Sequence, residues 1–169
     1  MTSQVPPPDA DEIEQFWELA RNRLRTNPVP GYFPPSSLDA LAPPAWAFGA
    51  TVDHADELLQ LVLDGIKTAT ASALWDYEVD DEPVPGVGDL SIILDGRGHP
   101  RALLEIIDVR IVPFGDVDAD HAFAEGEGDR SLSHWRDVHR HFFTTFAAHD
   151  RGFDEQMPVV TERFVLRFP

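Results

Sequence analysis

With 169 residues and a formal net charge of −17, the chain reads as one domain with an extension, and it has no overall basic footprint. Such a field repels polyanions at long range, so DNA and general binding of long nucleic acids are disfavoured, and a small or neutral ligand or a local groove is favoured. Cysteine is absent, which excludes disulfides, a thiolate nucleophile and a cysteine-based zinc site.

The first residues, "MTSQVPPPDADE", are acidic and proline-rich, which is wrong for a signal peptide. No apolar run approaches the roughly 18 residues of a membrane span. Together with the missing cysteine, this leads us to expect a cytoplasmic protein without a membrane partner. Residues 1–8 read as a tail. Asp9 then caps a helix, with Glu12 three residues on, and Ile13, Phe16, Trp17, Ala20 and Leu24 recur at helical spacing to about Arg25. "NPVPGYFPPSS" (27–37) is a breaker-rich connector, and "LAPPAWAFG" (41–49) is a second irregular piece. Thr51 or Asp53 caps a second helix whose apolar face is Leu58, Leu59, Val62 and Leu63, with Gly65 as its stop.

"LSIIL" (90–94) and "RALLEIIDVRIVPF" (101–114) read as strands joined by the hairpin loop "DGRGHP" (95–100). With period two, Leu103, Glu105, Ile107, Val109 and Ile111 share one face, so Glu105 is a carboxylate in an apolar row. Asp116 or Asp118 starts a short helix to about Glu125. "EGEGD" (125–129) reads as a solvated acidic turn or a pocket rim. Ser131 or Ser133 caps a longer helix with Leu132, Trp135, Val138, Phe142 and Phe146 inward. "VVTERFVLRF" (159–168) closes the chain as a strand.

One lysine stands among twelve arginines: Lys67, in "DGIKTATAS" (64–72). A composition bias would account for it, but so would chemistry, because lysine can lose a proton and arginine effectively cannot. Glu105 needs a cation, and Lys67 is the economical partner. Thr70, three residues on, becomes a plausible nucleophile beside a lysine. Trp75 and Tyr77 in "LWDYE" (74–78) fall on one side of an extended segment and could stack a base. Arg130 and Ser131 offer donors at the acidic loop, with Arg136 beyond it. His134, His139 and His141 are out of register for a metal, so neither a metal nor any other cofactor is expected.

The segments "WAFG" (46–49), "LVLDGIKTATAS" (61–72), "PGVGDLSIILDGRGHPRALLEI" (85–106), "VPFGDVDADHAFAEGEGDRSLSHWRDVHRHFF" (112–143) and "ERFVL" (162–166) together resemble the larger bacterial members of the ASCH domain family. The resemblance implies an α+β, PUA-like fold: a small, mostly antiparallel β-barrel with surrounding helices. It covers residues 46–169, and residues 1–45 look like an N-terminal helical extension. It also implies chemistry on a nucleoside or RNA. Small bacterial members are amidohydrolases on N4-acetylcytidine, using a lysine, a threonine three residues later and a glutamate on a barrel strand. That pattern falls on Lys67, Thr70 and Glu105, with Lys67 taking the Thr70 proton and Glu105 orienting it. Trp75, Tyr77, Arg130, Ser131 and Arg136 would bind substrate. The compact amidohydrolases lack the "EGEGD" insert, which leaves the shape of the pocket open. A metal-independent ribonuclease and a non-catalytic RNA- or nucleoside-binding module are the alternatives.

Overall fold

In the computed structural model, residues 4–26 and 41–168 are described. The proline-rich connector at 27–37 falls outside them. The chain divides into two compact units, one of Met1–Leu63, Leu90–Glu105 and Leu166–Pro169, the other of Asp64–Asp89 and Ile106–Val165.

In the first unit, α1 (Ala10–Thr26) begins where Asp9 Oδ1 accepts a hydrogen bond from Glu12 N at 3.0 Å. Its stripe of Ile13, Trp17, Ala20 and Leu24 is buried against Ile92, Leu94 and Leu103. Burying each such large side chain is worth about 1.5–3 kcal/mol. The helix assigned from sequence to an extension thus shares its core with the strands that follow. Strand β1 (Ala45–Trp46) is followed by α2 (Val52–Leu63), capped by Thr51 Oγ1, which accepts from His54 N at 3.2 Å. Strands β3 (Leu90–Leu94) and β4 (Pro100–Pro113) form a hairpin whose loop is closed by Asp95 Oδ1, which accepts from Arg97 N and His99 N. Register Leu90↔Glu105 sets the far end of that pairing.

In the second unit, β2 (Ala69–Ala73) pairs antiparallel with β5 (Pro158–Phe168), from Ala69↔Arg163 to Ala73↔Val159. Helix α3 (Leu74–Asp80) follows β2 directly. After β4 comes a 3-10 turn (Phe114–Asp116), then α4 (Ala119–Glu125), capped by Asp118, and α5 (Leu132–Thr145), capped by Ser131. Phe114, Val117, Ala122, Trp135, Phe143, Met157 and Val159 make the core.

The five strands lie in the order β1-β3-β4-β5-β2, with β1 parallel to β3 and the β3–β4 and β5–β2 pairs antiparallel. The α+β class holds. The expected barrel closure does not: β1 and β2 are the edges of an open sheet among the described residues. With two residues, β1 offers few ladder groups to a further strand.

Three local expectations are corrected. Residues 74–80 are helical rather than extended, although no side chain caps α3 at Ala73. The alternation in β4 fails because Ala102, Leu103, Leu104, Glu105 and Ile106 are all buried, so both faces are covered there, whereas Ile107 and Ile111 are exposed. In α5 the buried face is Trp135, His139 and Phe143, and Phe146 is exposed. The face is rotated because His139 has a buried partner in Glu125.

Candidate functional site

Gly65, with φ +73°, turns the chain after α2 and delivers Lys67 to the start of β2. The segment is held on two sides: Thr68 N donates to Ala124 O at 2.7 Å, and Phe164 N donates to Thr68 O at 3.0 Å. Lys67 is 2% exposed. Its Nζ donates to Ala69 O at 2.9 Å, Glu127 Oε1 at 3.2 Å and Glu125 O at 3.5 Å, and lies 3.6 Å from Glu125 Oε2. All three are carbonyl or carboxylate oxygens, which accept hydrogen bonds and donate none.

Glu125, the last residue of α4, is 1% exposed, so the first residue of the acidic loop is not solvated. Its Oε1 meets His121 Nε2 at 2.6 Å and accepts from Trp135 Nε1 at 2.8 Å. Its Oε2 lies 3.3 Å from His139 Nε2. Burial by itself would raise the Glu125 pKa. The positive charges of His139 and Lys67 outweigh burial and hold the carboxyl well below its ordinary value of 4.5. His139 shows the reciprocal balance: burial pushes it down, Glu125 pushes it up further, and the net shift is upward. The geometry agrees. His139 Nδ1 lies 2.9 Å from Trp135 O, a pure acceptor, so Nδ1 carries a proton, and Nε2 faces a carboxylate. The imidazole also stacks on the Trp135 indole, with centroids 4.1 Å apart.

Gly126 has φ +76°, and a Cβ there would lie 2.7 Å from Ile66 O. Only glycine allows α4 to end so close to the Lys67 segment. Arg130 fixes the other end of the loop: its Nε donates to Phe123 O at 2.9 Å and its guanidinium lies 3.6 Å over the Phe123 ring. Ser131 caps α5 by accepting from His134 N at 3.1 Å. Arg136 donates to Gly115 O at 3.1 Å, and its Nε is buried without a hydrogen-bond partner among the described residues.

Thr70 sits on β2 directly opposite Glu162 of β5. Tyr77, on α3, donates to Ser72 Oγ at 3.1 Å. Trp75, on the same helix, packs edge-on to His149 with centroids 5.1 Å apart, and the Arg151 guanidinium lies 5.0 Å over its ring. Glu105 belongs to the first unit, is 4% exposed and accepts from Arg167 Nε at 2.6 Å. Its cation is therefore an arginine, and the carboxylates touching Lys67 are Glu125 and Glu127.

The sequence reading did not single out Glu125, His121, Trp135, His139 or Glu162 as functional. Two signals were available. His121 stands four residues before Glu125, and His139 four after Trp135, the spacing of neighbours on a helix face. No group of three or more His, Asp or Glu residues is arranged to hold a metal ion among the described residues. No described helix is long and apolar enough to cross a membrane. A cleft of about 620 Å³ in the first unit, lined in part by Ile13, Trp17, Arg21 and Ala45, contains none of the candidate catalytic or substrate-binding residues.

Residues 44–166 match the family model described as ASCH domain. An ASCH domain from Lactobacillus crispatus JV V101, known from a crystal structure, superposes with a TM-score of 0.79 at 27% identity, covering 94% of this chain and 96% of that one. A crystal structure of a protein from Enterococcus faecalis V583 superposes with a TM-score of 0.78 at 32% identity, covering 94% of this chain and 89% of that one. No curated protein matches the sequence.

Proposed function

The chain belongs to the ASCH domain family, and from that premise we propose that it acts on a nucleoside or RNA, hydrolysing the amide of an N4-acylated cytidine. The observation carrying this reading is Lys67, 2% exposed and fixed against the carbonyl of Ala69, the residue preceding Thr70. An ammonium bonded to the carbonyl that precedes Thr70 puts positive charge near the backbone of that residue, where charge would develop as Thr70 attacks an acyl carbon. Glu125 and Glu127 hold that ammonium in place, the role expected for Glu105.

Tyr77, Arg130 and Ser131 would form the rim, with Arg136 behind it. Trp75 would stiffen α3 through its contacts with His149 and Arg151 rather than stack a base.

Purified protein incubated with N4-acetylcytidine should release cytidine, read by chromatography. Lys67→Arg and Thr70→Ala should each lose at least about 100-fold in rate. Glu125→Gln should lose more than Glu105→Gln; the reverse order would return the carboxylate role to Glu105. If N4-acetylcytidine and related acyl-cytosines go untouched, the amide reading fails. Cytidine binding that survives Thr70→Ala without turnover would point to a binding module instead.

A further inference from the structure

We propose that Glu162 is the proton-transfer residue for Thr70, taking the hydroxyl proton during attack and delivering it to the leaving amine. The inference deepens the amide reading above and depends on it for the identity of the leaving group.

Thr70 and Glu162 are directly opposed in the antiparallel β2–β5 pair. Opposed residues share a face, with Cβ atoms about 4.5–5.5 Å apart. A glutamate arm spans that gap. Glu162 is 7% exposed. Among the described residues neither its carboxyl nor the Thr70 hydroxyl makes a hydrogen bond. Every other carboxylate of the cluster has a fixed partner: Glu125 has four and Glu127 has Lys67. The oxygens of both groups keep slight access to solvent, so a carboxyl and a hydroxyl without protein partners can be held opposite one another.

The surroundings also separate Glu162 from Glu125. Burial first, then the negative charges of Asp89 and Glu125, raise Glu162 from 4.5 to about 7. Tyr77, on α3, also faces it and is itself raised, chiefly by burial, with a smaller contribution from Glu162. Glu125, shifted the opposite way, cannot lend a proton near neutrality. Lys67 turns its Nζ to Ala69 O, Glu125 O and Glu127 Oε1. A carboxyl titrating near the working pH can do both.

The step balances without any other reagent. The Glu162 carboxylate takes the Thr70 proton, and the Oγ electron pair forms the bond to the acyl carbon. The carbonyl pair moves to oxygen, then returns as the C–N bond breaks. The nitrogen keeps that bonding pair and takes the proton from Glu162, leaving a Thr70 ester and a free amine. Water then gives a proton to Glu162 while its oxygen attacks the ester, and Thr70 recovers its proton.

The test uses two acyl donors on the full chain. With p-nitrophenyl acetate, acid quench and peptide mass mapping read the Thr70 ester directly. Wild-type acylation should rise as pH passes about 7 and then level off. Glu162→Gln should lose that limb and about 100-fold in rate at pH above it. Glu162→Asp keeps a titrating group, so it should retain the limb at reduced rate even if Glu162→Gln proves unstable. An unchanged limb in Glu162→Gln, or no Thr70 ester in the wild type, would overturn the proposal. A Glu162-dependent ester limb with no release from N4-acetylcytidine would uphold Glu162 and refute the amide reading alone.

Discussion

The two units bury acid in different ways. In the first, an apolar core of α1 against β3 and β4 lies in the same unit as two buried carboxylates, Asp95, met by Arg101 and two backbone N–H groups, and Glu105, met by Arg167. In the second, Glu125 gathers His121, Trp135, His139 and Lys67, and Glu162 makes no hydrogen bond or ion pair among the described residues. Burial alone therefore does not mark function. A carboxylate met by an arginine is an ion pair, one shared four ways is held ionised and raises His139, and one without a partner among the described residues is pushed toward its protonated form. The cost of losing each should differ accordingly.

The sharpest break of that contrast is Glu125→Ala. It leaves both buried histidines without their carboxylate and takes one of two carboxylates from Lys67, which keeps Glu127, and should cost about 3–5 kcal/mol by urea unfolding. Next is Glu162→Gln, which should act in the opposite direction. The folded protein holds the Glu162 proton more tightly than the unfolded chain, so its contribution is full below 4.5 and lost as pH rises to about 7. The glutamine variant escapes that loss and should gain at most about 3 kcal/mol above neutrality, with little change in acid. Trp135→Phe removes one charged hydrogen bond to Glu125 and should cost about 2 kcal/mol. Glu105→Ala removes one partner of a partly accessible arginine, so its cost should be no more than about 2 kcal/mol, well below Glu125→Ala. The smallest effect expected is Ser131→Ala, a lost helix cap of about 1 kcal/mol.

The pH response sharpens the comparison further. Glu125, held below 4.5, contributes stability that is present above that value and lost as pH falls through its folded value. His139, held above 6.5, contributes stability present below that value and lost as pH rises through its folded value. Thermal melts of Glu125→Gln should lose both dependences together, because each group owes its shift in large part to the other. If only one is lost, the pair is not coupled as the geometry requires.

Much of this was legible from sequence where local chemistry decides. Asp9, Thr51, Asp118 and Ser131 all cap the helices they announce. The β3–β4 hairpin follows from its loop, and β5 from its residues. What was not legible depends on partners distant in the chain. Helix α3 has no side-chain cap and no buried residue of its own, so nothing local contradicts an extended reading. "EGEGD" is polar by composition, and only the convergence of His121, Trp135, His139 and Lys67 makes its first residue a buried one. Lys67 itself was legible by its rarity. Glu105 drew attention by its apolar neighbours, which is a statement about burial and not about which cation it meets.

The Lys67–Glu125 contact joins residues 58 apart in the chain. A loop of that length costs entropy to close before any contact rewards it. Until it closes, Glu125 has only His121, four residues away, within reach along its own helix, and its stable place is in water. Desolvation of the site is thereby tied to completion of the second unit's long-range pairing. The Trp135 indole, bonded to Glu125 and stacked on His139, is a built-in optical reporter of that moment in a refolding trace.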